Sequence, residues 1–167
     1  MNPEVLILMG SDSDLPVMEE CSKVLQEFGI GFEMHVSSAH RSPARTGDLA
    51  RTAAARGIKA IIAGAGMAAH LAGVVAAETV LPVIAVPLPG GALNGLDALY
   101  AMVQMPGGIP VATMAIGKAG AKNAGLFAVQ MLALGNQDLA GRFAAYKQGM
   151  ADEVAEKDAA LQQRLKG

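Results

Sequence analysis

Charge is scarce in this chain. Only 17% of its 167 residues are Asp, Glu, Lys or Arg, thirteen basic against fifteen acidic, for a formal net charge of −2. That balance leaves no broad basic surface for nucleic acid or an anionic membrane, so any anion site must be local. Cysteine is almost missing as well. Cys21 alone excludes an intrachain disulfide and any multi-cysteine metal site, and within an apparently amphipathic helix it reads as a small buried apolar residue. His35, His40 and His70 have no metal-binding spacing, and carboxylates are few beside the glycine turns, so no catalytic metal is expected. No serine sits in a G-x-S-x-G elbow, which weighs against a Ser-His-Asp hydrolase. The start Met1-Asn2-Pro3-Glu4 lacks the basic residues of a signal peptide and runs straight into a strand pattern, so a cytoplasmic location is expected.

The shortage of charge is uneven. From Ala60 to Gly117 only Glu78 and Asp97 are formally charged. Helices in this region are rich in Ala, Gly, Val and Met around much of their circumference, and a helix that is apolar all round must be buried on more than one side. A membrane span is a poor alternative, because Gly, Pro, His70 and strand-like pieces break the run before the roughly twenty residues of a span accumulate. A compact homo-oligomer is expected instead. With 52% hydrophobic residues the chain can bury one sizeable core and is too short for two ordinary enzyme domains. One soluble domain over residues 1–167 is expected, with 137–167 a polar helical tail that either wraps a neighbour or lies solvated.

What the chain does have is a regular alternation. Short runs of aliphatic and β-branched residues closed by Gly, Ser or Pro predict strands over Val5–Met9, Phe32–Val36, Ala60–Ala63, Val83–Val86 and Val111–Ile116. Between and after them, Leu15–Phe28, Pro43–Arg56, Ala68–Thr79, Leu96–Gln104 and Ala119–Leu134 are compatible with helices. Continuous apolar strands alternating with helices predict a parallel sheet covered on both faces, an α/β fold of three-layer α/β/α sandwich type. Ligands of such sheets bind beyond the carboxyl ends of the strands, which directs attention to the loops after Met9, Val36, Ala63, Val86 and Ile116.

Four of these segments carry candidate chemistry. Ser38-Ala39-His40-Arg41 sets an imidazole, able to move a proton near neutral pH, beside a guanidinium that grips phosphate or carboxylate. In Met9-Gly10-Ser11-Asp12-Ser13-Asp14-Leu15-Pro16, Gly10 allows a sharp turn and Ser13 or Asp14 can cap the helix. The same helix terminus can hold an anion through Ser11 and Ser13, whereas Asp14 suits a sugar diol; a plain structural cap stays open beside this phosphosugar reading. Gly64-Ala65-Gly66-Met67-Ala68-Ala69 matches a dinucleotide fingerprint only formally, because Val83–Val86 lacks the required acid, but the Ala65 and Gly66 amides can approach a small carboxylate. His70 follows on an apolar helix, where a hydrogen-bonded core residue is the ordinary reading, and His35 looks still more structural. Proline- and glycine-rich segments at 87–95 and 104–113 are read as shaped loops at the binding edge.

Taken together, Met9–Asp14, Ser38-Ala39-His40-Arg41-Ser42-Pro43, Gly64–Leu71 and Gln104-Met105-Pro106-Gly107-Gly108-Ile109-Pro110-Val111-Ala112-Thr113 resemble the class I PurE family, the N5-carboxyaminoimidazole ribonucleotide mutases of purine biosynthesis. The resemblance runs from about Val5 to Leu134. It implies a flavodoxin-like sandwich assembled as a homo-octamer with shared active sites, no cofactor, and a small ribonucleotide as substrate. By motif position it makes His40 the catalytic acid–base. It gives phosphate to Arg41 with Ser13 and Ser38, ribose hydroxyls to Asp14, and the migrating carboxylate to Ser11 with the Ala65 and Gly66 amides. His70 would line a carbon dioxide pocket. Arginine after the histidine separates this family from the related carboxylase that uses carbon dioxide directly, which usually has lysine there. The competing reading from another class is a noncatalytic flavodoxin-like nucleotide-binding protein. Three departures stand out: Met67 where the family commonly has glycine, Ala72 where it commonly has proline, and Pro89-Gly90-Gly91 in a loop that often contains serine.

Overall fold

The structure, a computed structural model, describes residues 2–166; Met1 and Gly167, the ends of the expected domain, lie outside them. Five strands form one all-parallel sheet: β1 (Val5–Met9), β2 (Phe32–Val36), β3 (Ala60–Ala65), β4 (Val83–Pro87) and β5 (Ala112–Thr113), in the order β2-β1-β3-β4-β5. Every residue of β1, β3 and β4 is buried. Those strands can be apolar without alternation because side chains on both faces leave water.

Alternate strand residues face opposite layers. Leu6, Leu8, Ile61, Ala63, Val83 and Ala85 share a core cluster with Ala50, Leu71, Ala72, Val75, Ala98 and Met102, which come from α2 (Pro43–Thr52), α3 (Leu71–Glu78) and α4 (Leu96–Val103). The opposite face is covered by α1 (Leu15–Glu27) and the first part of α5 (Lys118–Ala133). There a Cβ on Gly64 would lie 2.3 Å from Met18 Sδ, and one on Gly125 would lie 2.9 Å from the Cys21 carbonyl oxygen. These two glycines set how closely α1 approaches the sheet and α5.

The structure divides into two compact units, one ending at Ala128 and one beginning at Val129. The second contains the end of α5 and the long α6 (Gln137–Lys166). Asn136 Oδ1 accepts from the Leu139 amide at 3.1 Å, a side-chain cap for α6. Further along, Arg142 pairs with Asp138 at 3.2 Å and Lys157 with Glu153 at 3.9 Å, exposed i,i+4 contacts of small individual worth. Among the described residues no helix is long and apolar enough to cross a membrane.

Three boundaries differ from the sequence reading by three residues or more. The fifth strand is only Ala112–Thr113 rather than Val111–Ile116, because Gly117 at φ +79 turns the chain into α5. The Met114 and Gly117 amides still bond to Ala85 and Pro87 carbonyls, both at 2.9 Å. Helix α2 stops at Thr52, with Ala54–Arg56 a separate 3-10 turn closed by left-handed Gly57. Helix α3 begins at Leu71 rather than Ala68, since Met67 (φ +54) and Ala69 (φ +48) cannot continue a right-handed helix.

The Gly64 contact yields a stability test. Gly64→Ala is expected to lower the unfolding free energy by about 1–3 kcal/mol through overpacking. Combined with Met18→Ala, it should cost less than the sum of the single changes in urea denaturation. Strict additivity would show that the thioether is not what the new methyl meets.

Candidate active site

The loops leaving β1 to β4 line one crevice of about 450 Å³, and its walls include Ser11, Ser13, Asp14, Ser38, His40, Arg41, Ala65, Gly66 and His70. All nine residues singled out from the sequence therefore reach the same cavity. The loop after Ile116 contributes nothing to it.

The β1 loop is organised by Ser11, which replaces Ser13 or Asp14 as the capping residue. Ser11 Oγ accepts from the Ser13 amide at 3.3 Å, while Asp14 Oδ2 accepts from the Ser11 amide at 3.0 Å, a reciprocal capping box over the 3-10 turn Asp12–Asp14. Asp14 makes no cap bond for α1 itself. Burial pushes the Asp14 carboxyl above its ordinary value of 3.8; the Ser11 and Gly10 amides oppose that shift, and Arg41 opposes it least. A half-buried carboxylate facing a crevice is well suited to sugar hydroxyls, which would supply the donors that water no longer does.

The β2 loop is braced from beneath by the buried Ser37–Thr46 hydroxyl pair at 2.8 Å. The Arg41 amide donates to Ser38 Oγ at 3.2 Å, and the Ser38 amide donates to Ser42 Oγ at 3.0 Å. Ser38 thus shapes the turn as well as facing the crevice. Arg41 Nη2 reaches across to the Gly10 carbonyl at 3.3 Å, joining the first two loops.

In the β3 loop, the Ala69 amide bonds back to the Gly66 carbonyl at 3.1 Å. A Cβ on Gly66 would lie 3.3 Å from the Leu88 carbonyl oxygen, so this glycine permits the β3 and β4 loops to approach. The turn delivers His70 to the start of α3, exposed rather than in the core. His70 Nδ1 lies 2.7 Å from His40 Nε2, with the rings edge to face at 75° and their centroids 4.7 Å apart. Such a contact needs one N–H and one lone pair, so one hydrogen serves both facing nitrogens. This pairing escaped the sequence reading; two histidines thirty residues apart in the chain carry no local signal that they meet.

Other sequence candidates stay outside. His35 lies 3.5 Å from Glu33, which is held by Arg56 at 3.1 Å on the edge strand. Cys21 is buried, its Sγ 2.8 Å from the Met18 carbonyl, and burial pushes its thiol up to about 12, in keeping with an inert core residue. The glycine-rich segment from Met105 to Pro110 lines a separate surface depression with Val103 and Val111. It connects α4 to the amino end of β5, and helix-to-strand connections lie opposite the carboxyl edge of a parallel sheet. The expectation that both proline–glycine loops reach the binding edge is therefore corrected: only the one containing Leu88–Gly91 does. Among the described residues no group of three or more His, Cys, Asp or Glu is placed to hold a metal.

A 2-1-3-4-5 parallel sheet whose crevice opens at the carboxyl ends of its strands, with a histidine pair beside an arginine and a carboxylate, defines an α/β protein with a flavodoxin-like small-molecule site. The chain belongs to the AIR carboxylase family, whose model matches residues 4–153. It is 56% identical over 165 residues to an N5-carboxyaminoimidazole ribonucleotide mutase of Mycobacterium tuberculosis, covering 99% of this chain and 93% of that protein. The corresponding mutase of Thermotoga maritima is 53% identical, with 96% of this chain and 93% of that protein covered. Among solved structures, Treponema denticola PurE superposes with a TM-score of 0.86 at 31% identity, over 95% of this chain and 98% of that one.

The raised Asp14 value predicts a pH-dependent stability difference. Its folded-state value lies above the unfolded one, so the folded protein holds the proton more tightly. That contribution is complete below the ordinary value of 3.8 and is lost as pH rises through the raised value. Asp14→Asn cannot titrate, so its stability relative to the parent should climb across that window and then level off. Urea unfolding over a pH series reads this directly, and a difference independent of pH would contradict it.

Proposed function

We propose that the protein is an N5-carboxyaminoimidazole ribonucleotide mutase, acting in purine biosynthesis by moving a carboxylate from the exocyclic nitrogen of its substrate to C4 of the imidazole ring. The observation that carries this reading is the position of His40: exposed in a crevice shared with a phosphate-binding type of side chain, Arg41, and a hydroxyl-accepting carboxylate, Asp14. More than half identity to proteins named as such mutases supports it.

The chemistry needs one proton to be given and one recovered. Protonation of the exocyclic nitrogen accompanies cleavage of its bond to the carboxylate, whose electron pair stays on nitrogen, and carbon dioxide is released in the crevice. C4 of the aminoimidazole then attacks the carbon of carbon dioxide, forming the new bond. Loss of the C4 proton restores the aromatic ring. His40 serves as donor in the first step and acceptor in the last, ending as it began, a role typically worth about 10²- to 10⁴-fold. His70, bonded to His40 Nε2, fixes the ring and offers a partner for the proton in transit. Arg41 with Ser13 and Ser38 holds the phosphate, Asp14 the ribose, and Ser11 with the Ala65 and Gly66 amides the migrating carboxylate. No cofactor takes part.

The same proposal includes one working domain with residues 137–167 as its tail, a cytoplasmic location, and a homo-octamer with shared active sites. Leu96, Tyr100 and Val103, exposed at 45%, 58% and 51%, form an apolar stripe on α4 that supports assembly. Sedimentation should give a mass several times 17.0 kDa, and a stable monomer at micromolar concentration would exclude the assembly.

Purified protein given N5-carboxyaminoimidazole ribonucleotide should yield the C4-carboxylated isomer. Product formed only from aminoimidazole ribonucleotide plus bicarbonate would instead assign the direct carboxylase. His40→Asn should lose turnover by about 10²-fold or more yet keep nucleotide binding. Arg41→Ala should weaken that binding by about tenfold, in the range of a charged hydrogen bond. A fully active His40→Asn protein removes His40 from the mechanism, and unchanged affinity in Arg41→Ala removes the phosphate contact.

A further inference from the structure

Met67 is out of place by conformation. At φ +54 its backbone lies in the left-handed region that glycine occupies without penalty, yet the residue carries a long thioether side chain. Met67 is 62% exposed and stands at the wall of the crevice that holds His40 and His70. It leans towards the β4 loop: a Cβ on Gly91 would lie 3.5 Å from Met67 Cγ and 3.9 Å from its Cε. Gly91 is itself left-handed at φ +61, and a Cβ on Gly90 would meet nothing within 4 Å. An adaptable apolar side chain from the β3 loop thus packs beside the side-chain-free Gly91 of the β4 loop, with the space at Gly90 left open.

The proposed reaction gives this arrangement a task. Between its release and its capture by C4, carbon dioxide is small, uncharged and held by no strong contact, so escape competes with recapture. The histidine pair is exposed, and the crevice wall formed by Met67, Leu88, Pro89 and Gly91 supplies apolar surface on one side of it. We propose that Met67 is a positioning residue that closes the β3 loop against Gly91 and retains carbon dioxide beside the decarboxylated nucleotide until the new C–C bond forms. This rests on the mutase reading. Each escape leaves aminoimidazole ribonucleotide in solution and carbon dioxide that hydrates to bicarbonate and a proton, so the leak can be counted.

The experiment measures, with N5-carboxyaminoimidazole ribonucleotide as substrate and a protein-free blank subtracted, how much substrate ends as the C4-carboxylated product and how much as aminoimidazole ribonucleotide. Met67→Gly suits the backbone conformation, so folding is not put at risk. In that variant the fraction released as aminoimidazole ribonucleotide should rise about tenfold, the low end of what one apolar pocket contact is worth in discrimination. Its affinity for the C4-carboxylated product should stay the same, and Met67→Leu should restore the parent ratio. An unchanged ratio in Met67→Gly overturns the inference, as does a leak that rises only in step with weakened nucleotide binding. Failure of the parent protein to form any C4-carboxylated product would be a different result, overturning the mutase reading and this inference with it.

Discussion

Parallel pairing of β1 between β2 and β3 is the constraint on which the site depends. Met9 is in register with Val36 on one side and Gly64 on the other. Neighbouring strands lie about 4.8 Å apart, so the three chains leave the sheet level with one another and within side-chain reach. Arg41 can therefore touch the Gly10 carbonyl, and His70 can meet His40 across the gap left by the diverging connections. An antiparallel neighbour would carry its outgoing loop to the opposite edge and dissolve the crevice. The packing beneath serves this alignment: Gly64 lets Met18 press against the end of β3, next to the point where the loop departs.

The electrostatics of the crevice are local, as an acidic chain with few charges requires. Arg41 is the permanent cation among its lining residues, opposite the carboxylate of Asp14. Attraction between them is not what governs Asp14, because burial raises its value more than Arg41 lowers it. The guanidinium's bond within the crevice is to the neutral Gly10 carbonyl. Asp14 in turn is held by the Ser11 amide, a bond that fixes the carboxylate without supplying a countercharge.

Central strands were legible in the sequence because Val5–Met9 and Val83–Val86 have no polar residue at all, a pattern that only full burial explains. Which residues line the crevice was legible too, since glycine, serine, histidine and arginine cluster where those strands end. The rest depends on information that residue types do not carry. Ser11, Ser13 and Asp14 are all good caps, so only coordinates distinguish which one is used. Methionine and alanine give no warning of a left-handed backbone, so Ala68–His70 read as helix. The segment from Met105 to Pro110 has the composition of a binding loop, and only its place between a helix and a strand assigns it to the other edge.

That misread turn also links strain to chemistry. Non-glycine residues in the left-handed region cost on the order of 1–3 kcal/mol each, and Met67 and Ala69 are separated by a single residue. The surrounding structure holds them there: Leu71, Ala72 and Val75 are buried in the core, and the Ala69 amide is tied to the Gly66 carbonyl. Continuing α3 back through Ala68 would relieve the strain, but His70 would then sit within a helical turn, with its amide engaged by a preceding carbonyl, instead of at the helix start. The strained turn delays the start of the helix to Leu71 and leaves His70 at its threshold, in contact with His40. Core burial of α3 thus stabilises a loop conformation that its own residues disfavour, and the imidazole pair is what that conformation provides.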